Sequence, residues 1–301
     1  METALRKISL RIKRRNNRPA TIIDGKAVAK KYRLEIKKEV AGLAELGIVP
    51  GLAVILVGDD PASRVYVTNK EKDCAKCGIH SEEFALPAST TEAELLELIA
   101  TLNGRDDING ILVQLPLPKH ISERSVINAI DPMKDVDAFH PINVGRITEG
   151  KYDFLPCTPA GVMALLDEYG IEVEGKECVV IGRSNIDGKP QALLLLHRNG
   201  TVTICHSRTK DLAGAVLRAD ILVSAAGKAG LVTGDMVKPG VVAIDVAINT
   251  REDGKLTGDL LFDEVAEKAS FITPVPGGVG PMTRVMLLKN TIKAARLQHH
   301  I

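Results

Sequence analysis

Apolar positions recur along this chain at helical spacing in some stretches and as short unbroken runs in others. Val28, Tyr32, Ile36, Val40 and Leu43 repeat at the helical period, and Gly47 closes that segment. Leu52–Val57 is a short apolar run and predicts a strand. Asp60-Pro61 then supplies a cap and a first-turn proline, opening a helix that runs to about Gly78. Glu83–Leu86 predicts a strand. Thr91 and Glu94 form a capping box ahead of Leu95, Leu98, Ile99 and Leu102. Ile111–Leu115 reads as another buried strand, with the polar Gln114 at its C-terminal end.

A second unit begins near Thr158. It is predicted to contain an amphipathic helix over Pro159–Tyr169, ended by Gly170, a strand over Glu177–Ile181, a helix over Pro190–Arg198 and a strand over Thr201–Cys205. A helix around Asp211–Arg218 follows, then strands at Ile221–Ser224, Val241–Val246 and Phe271–Thr273. The last helix, Pro281–Leu297, places Val285, Leu288, Ile292 and Ala295 on one face. Alternating strands and helices predict an α/β fold.

The chain has 301 residues, enough for two ordinary domains, and is 45% hydrophobic with 3% aromatics and no Trp, so its core must be aliphatic. No apolar run is long enough to span a bilayer, so no membrane role is expected. Net charge is +1, yet residues 1–20 hold seven basic side chains against Glu2 alone, which leaves the body mildly acidic. That balance argues against nucleic acid as a partner, because phosphate binding needs positive surface. The basic arm reads as an unstructured extension, with an Arg-rich organelle address as the alternative. Five cysteines, an odd number, without the apolar stretch of a secretory signal suggest reduced thiols and a cytoplasmic setting. Cys74 and Cys77 form a CxxC with His80 nearby, but no second pair completes a zinc set and the spacing is ordinary for a helix. No metal is expected.

Candidate chemistry gathers in two places. The strand Glu177–Ile181 runs into Gly182-Arg183-Ser184-Asn185-Ile186-Asp187-Gly188-Lys189-Pro190 and then a helix, a turn in which glycine backbone can approach a pyrophosphate. The next strand ends Cys205-His206-Ser207-Arg208-Thr209 without the carboxylate that would hold the ribose of NAD. Arg183, Ser207 and Arg208 suit a 2′-phosphate, which points to NADP, although Asp187 in the same turn disfavours anions. In the first unit, Tyr66 and Lys70 are i,i+4 neighbours on one helix, while Gln114 and the pair Asp135 and Asp137 follow strand ends. Ligands of open α/β sheets sit outside the carboxyl ends of strands, where these groups could converge. Tyr-x-x-x-Lys is also the proton relay of short-chain dehydrogenases, but there the nucleotide turn comes first; here Tyr66 precedes Gly182.

Six segments in order resemble the bifunctional methylenetetrahydrofolate dehydrogenase/cyclohydrolase (FolD) family: Tyr66–Lys70, Val113–Pro118, Lys134–Asp137, Pro156–Pro159, Gly182–Pro190 and Pro274–Thr283. They span about residues 20–297. Ala138, Asp187 and Ala247 depart from the family's pattern. The resemblance implies an enzyme of one-carbon folate metabolism that oxidises 5,10-methylenetetrahydrofolate with NADP and hydrolyses the methenyl product to 10-formyltetrahydrofolate. A dehydrogenase lacking the hydrolase step, and a cofactor-binding module without turnover, are the alternatives.

It implies two α/β domains with a cleft between them, the second a Rossmann-like parallel sheet, and a last helix returning to the first domain. The expected boundaries are 1–20 for the extension, 21–157 with 281–301 for the folate domain, and 158–280 for the NADP domain. By the same resemblance Lys70 is the central catalytic residue, held by Gln114, while Asp137 binds the pterin and Tyr66 lies against the aromatic linker. Gly277, Gly278 and Val279 would wall the substrate; Gly182, Arg183, Ser184, Ser207 and Ile248 would hold NADP; Cys157 would sit near the nicotinamide. A homodimer is expected.

Overall fold

The computed structural model describes residues 19–301; the basic extension expected over residues 1–20 lies outside them but for Pro19 and Ala20. The chain divides into two compact units. One combines the described residues up to Lys26 with Val162–Pro281, and the other comprises Ala27–Gly161 with Met282–Ile301.

The first described strand, β1 (Thr21–Ile22), pairs in parallel with Phe271–Ile272 and so extends the sheet of the later unit. Sequence reading placed residue 21 at the start of the folate domain. The difference arises because two residues carry no periodicity and their partner lies some 250 positions away.

The unit that begins at Ala27 is built on a three-stranded parallel sheet. After helix α1 (Gly25–Glu45), strand β2 (Gly51–Val57) forms the centre of the sheet and is buried at all seven positions, which explains its unbroken apolar run. Helix α2 (Pro61–Cys77) starts as expected, with the Asp60 carboxylate accepting from Ser63 N–H at 2.8 Å, and ends at Gly78 in the left-handed region. Strand β3 (His80–Leu86) is longer than its apolar stretch because it is an edge: Glu82 and Glu83 point outward to Arg105 and Arg64.

Helix α3 (Glu92–Asn103) carries the capping box of Thr91 and Glu94, worth about 1 kcal/mol, and buries Leu95, Ile99 and Leu102. Each such side chain contributes about 1.5–3 kcal/mol when removed from water. Strand β4 (Gly110–Val113) is shorter than expected, stopping before Gln114. Two short helices absent from the sequence reading, α4 (Glu123–Ala129) and α5 (Pro141–Glu149), lead to α6 (Cys157–Glu168).

The other unit is a six-stranded, wholly parallel sheet. Its members are β5 (Glu177–Ile181), β6 (Thr201–Cys205), β7 (Ile221–Ser224), β8 (Val242–Asp245) and β11 (Phe271–Ile272), with β1 at the far edge, in the order β1-β11-β8-β7-β5-β6. Helices α7 (Gly188–His197) and α8 (Leu212–Leu217) alternate with the strands. A small hairpin, β9 (Asn249–Thr250) with β10 (Leu256–Thr257), and helix α9 (Phe262–Ala266) precede β11. The order places β6 and β7 on opposite sides of β5, so the chain reverses its winding direction at β5. Such a switch point opens a crevice at the carboxyl ends of the strands.

The last helix, α10 (Val279–Gln298), begins two residues before Pro281 and its body belongs to the three-stranded unit. Asn290 on it donates to Val136 O and Leu155 O at 2.7 and 2.8 Å. Among the described residues no helix is long and apolar enough to cross a membrane.

Candidate active site

In the three-stranded sheet β3 and β4 flank β2, so that sheet too has a switch point, between β2 and β4. Lys70 lies on the helix that leaves β2. Gln114 follows β4, and its backbone N–H continues the ladder to Ile55 O at 2.8 Å. The Lys134–Asp137 segment adds on the other side of β4 through the Ile111–Asp135 bridge. These three placements converge. Lys70 Nζ donates to Gln114 Oε1 at 2.9 Å, and the amide's other end is fixed by Nε2 donating to Leu115 O at 2.8 Å.

The electrostatics follow from enclosure. By surface area Lys70 is half-buried, but its ammonium is surrounded by protein, and desolvation pulls its pKa below the usual lysine value, against an opposing pull from Asp137. Asp137 is raised by burial, with Lys70 pulling it back. Cys157 sits against both. Its thiol is held protonated, well above its ordinary value, first by burial and then by the Asp137 carboxylate. The family resemblance implied a place for Cys157 near the nicotinamide. In the structure it is buried at the start of α6, its Sγ 3.5 Å from Val136 O and 3.8 Å from Asn290 Nδ2.

The two aspartates divide. Asp135 is a loop staple: its buried carboxylate accepts from His140 N–H and Asn143 Nδ2, both at 2.8 Å. Asp137 alone faces Lys70. The next residue, Ala138, is fully buried at φ 57°, the left-handed region that favours glycine, so the departure from the family's pattern carries local backbone strain. Tyr66, one turn before Lys70, is 41% exposed and available to a ligand. Cys74 and Cys77 are buried free thiols, raised by desolvation, Cys74 to about 12.

The expected nucleotide site lies within the six-stranded unit. A cavity of about 560 Å³ opens at the carboxyl ends of β5, β6 and β7 and is lined by Gly182, Arg183, Ser184, His206, Ser207 and Lys228 among others, with no carboxylate. Gly182 has φ 131°, and a β-carbon there would meet Ala225 O at 2.6 Å; one at Gly188 would meet Gly182 O at 2.3 Å. The turn therefore needs both glycines, and the close backbone they allow is what a dinucleotide diphosphate requires. Ser184 Oγ accepts from Asp187 N–H and Gly188 N–H at 3.1 and 3.3 Å and so holds the turn that leads into α7. Asp187 is not among the cavity's lining residues. These residues fit a dinucleotide bearing an extra phosphate.

Ile248 and Arg208 do not line that cavity; Ile248 is 44% exposed, and its Cδ1 lies 3.9 Å from where a β-carbon on Gly280 would be. Gly277 has φ 115°, and a β-carbon at Gly278 would meet Pro274 O at 2.7 Å, so this turn also keeps its backbone bare. Sequence reasoning missed Lys228 and His206 as lining residues. It also missed the buried carboxylates of Asp245 and Asp259 beneath the cavity rim. A lysine four residues beyond a strand end was the only available signal.

Family models and relatives agree on this chain. The catalytic domain of tetrahydrofolate dehydrogenase/cyclohydrolase matches residues 23–137, and the NAD(P)-binding domain of the same family matches residues 156–299. The chain is 60% identical over 279 residues to a bifunctional protein FolD of Acetivibrio thermocellus, covering 93% of this chain and 98% of that one. It is similar to the crystal structure of the bifunctional FolD enzyme of Campylobacter jejuni, with a TM-score of 0.91, 52% identity and coverage of 92% and 99%. The Trypanosoma brucei FolD structure, complexed with NADP cofactor and inhibitor, matches with a TM-score of 0.90 and 42% identity over 94% of this chain and all of that one. The chain belongs to the tetrahydrofolate dehydrogenase/cyclohydrolase family.

Proposed function

We propose that this protein oxidises 5,10-methylenetetrahydrofolate to the methenyl cation with NADP and then hydrolyses that cation to 10-formyltetrahydrofolate, with Lys70 at the centre of the chemistry. The observation that carries the role of Lys70 is its 2.9 Å contact with Gln114 Oε1 in an enclosed setting beside Asp137. Bound NADP supplies the hydride acceptor for the first step. The first step needs alignment more than a strong base. The second needs a water relieved of a proton as it adds to the methenyl carbon.

Burial makes the neutral amine of Lys70 accessible at lower pH than for an ordinary lysine, so it can take that proton. Gln114 holds the amine in place through its amide oxygen. Asp137 accepts N–H donors of the pterin ring, and the exposed Tyr66 ring covers the aromatic linker. Gly277, Gly278 and Val279 present bare backbone to the folate. Gly182, Arg183 and Ser184 hold the cofactor's diphosphate and extra phosphate with Ser207, and Ile248 packs on the cofactor. The cationic, carboxylate-free lining supports NADP over NAD. The chain works as a cytoplasmic homodimer.

The test is a dual assay. The purified chain is incubated with methylenetetrahydrofolate and either NADP or NAD, and reduced cofactor and the methenyl chromophore are followed together. Reduced NADP and enzymatic decay of the chromophore are expected. No reduction with either nucleotide would remove the dehydrogenase reading, and reduction without chromophore decay would leave a monofunctional dehydrogenase. Sedimentation reads the oligomeric state.

A further inference from the structure

We infer that Lys228 is an additional phosphate contact of the cofactor, presented from the β7 side of the nucleotide cavity by the buried carboxylate of Asp259. The inference rests on the dinucleotide reading above and adds a residue to it.

The loop after β7 reads Ala225-Ala226-Gly227-Lys228. Ala225, Ala226 and Lys228 line the cavity. Asp259, fully buried, accepts from Ala226 N–H at 2.8 Å and Lys228 N–H at 2.7 Å, and also from Ser224 Oγ at 2.8 Å and Asn249 Nδ2 at 3.1 Å. Asp259 is itself pinned, its N–H donating to Asp245 Oδ1 at 3.0 Å, while Leu260 N–H donates to Asp245 Oδ2 at 2.9 Å. Burying a carboxylate costs several kcal/mol unless donors satisfy it, and here four donors do so. Three of the four come from the segment Ser224–Lys228, so the carboxylate dictates the path of this rim.

The rim faces Ser207 across the diphosphate turn. Ile181 of β5 is in register with Cys205 of β6 and with Ser224 of β7, so His206, Gly182 and Ala225 stand at one level. Ser207 and the β7 rim are thus two strand spacings apart, roughly 10 Å. Arg183 rises between them and Lys228 closes the far side, with no carboxylate in the lining to neutralise either. A ligand seated here meets positive charge from two elements, which matches a nucleotide carrying phosphate at more than one position. The chemistry recognised is a phosphate ester. It is either the diphosphate or the 2′-phosphate.

The test is equilibrium titration of the full-length protein with NADP, NAD, adenosine 2′,5′-bisphosphate and ADP. Lys228→Met should weaken NADP about 10-fold, while Lys228→Arg stays within about 3-fold of the parent. A loss confined to NADP and the bisphosphate assigns Lys228 to the 2′-phosphate. A loss shared by NAD and ADP assigns it to the diphosphate. Unchanged affinity for all four ligands overturns the inference while leaving the dinucleotide reading intact; a parent protein that binds none of them removes that reading first. In an Asp259→Asn background, Lys228→Met should lose less than its full effect; fully additive losses would overturn the positioning role of Asp259. If Asp259→Asn does not fold, the titration of the Lys228 variants decides the phosphate contact.

Discussion

Replacing Lys70 with Met separates chemistry from scaffolding, because the structure sets the two magnitudes apart. The change removes one ammonium and keeps a chain of similar length. On the stability side, Gln114 Oε1 loses its 2.9 Å donor, which costs about 1–3 kcal/mol if no water replaces it. Against that, the desolvation that depresses Lys70 is relieved, and Gln114 remains anchored to Leu115 O. The two effects offset, so stability should move by no more than about 2 kcal/mol, and the melting temperature by less than about 8 °C. On the chemical side, loss of a positioned proton-transfer group costs about 10²–10⁴ in rate. Even the lower figure corresponds to about 2.7 kcal/mol in the barrier. The assay follows decay of the methenyl chromophore, with NADP affinity measured in parallel. Hydrolysis should fall at least 100-fold with NADP binding nearly unchanged. Wild-type hydrolysis by a folded Lys70→Met protein would refute the role assigned to the amine.

Arg183→Ala should weaken NADP by about 10-fold or more and NAD by no more than about 3-fold, since the guanidinium suits the extra phosphate; equal losses in a binding titration would contradict this. Ala138→Gly should stabilise by up to about 1 kcal/mol in denaturant titration. Relief of a left-handed alanine at φ 57°, about 1–2 kcal/mol, outweighs the loss of one buried methyl, about 0.8 kcal/mol. A loss of stability above about 1 kcal/mol would count against that strain. Asp245 is raised to about 7, first by burial and then by Asp259, against its backbone hydrogen bonds. The folded state therefore holds that proton more tightly than the unfolded chain does. Its contribution is full below the unfolded value of 3.8 and is lost as pH rises through about 7. Asp245→Asn should flatten this decline, whose ceiling is about 4 kcal/mol; denaturant titrations at acidic and mildly basic pH that decline equally in both proteins would sink the claim.

Most of the architecture was legible because it was written in caps and glycines. Asp60-Pro61, the Thr91–Glu94 box and Gly78 marked helix ends that the structure reproduces. The central strand β2, buried at every position, was equally plain. What escaped was short or edge-exposed. Strand β3 begins with His80, Ser81, Glu82 and Glu83, whose polarity reflects an edge paired on one side only. Thr21–Ile22 gives no local sign of its distant partner. In the site, the Lys70–Gln114 pair follows from two strand ends and was foreseeable. The division of labour between Asp135 and Asp137 was not, because it depends on Asn143 and His140 reaching back to one carboxylate and not the other. Lys228 gave no sign beyond its position after a strand end, because its placement is imposed by Asp259, a residue 31 positions later.

The central physical claim is that enclosure beside Gln114 makes the Lys70 amine available at lower pH than a surface lysine. Carbon-13 labelling of lysine ε-carbons, with the Lys70 signal assigned by its disappearance in Lys70→Met, measures this directly by titration. The Lys70 signal should titrate below the surface lysines of the same protein. A Lys70 signal that titrates together with them would contradict the account.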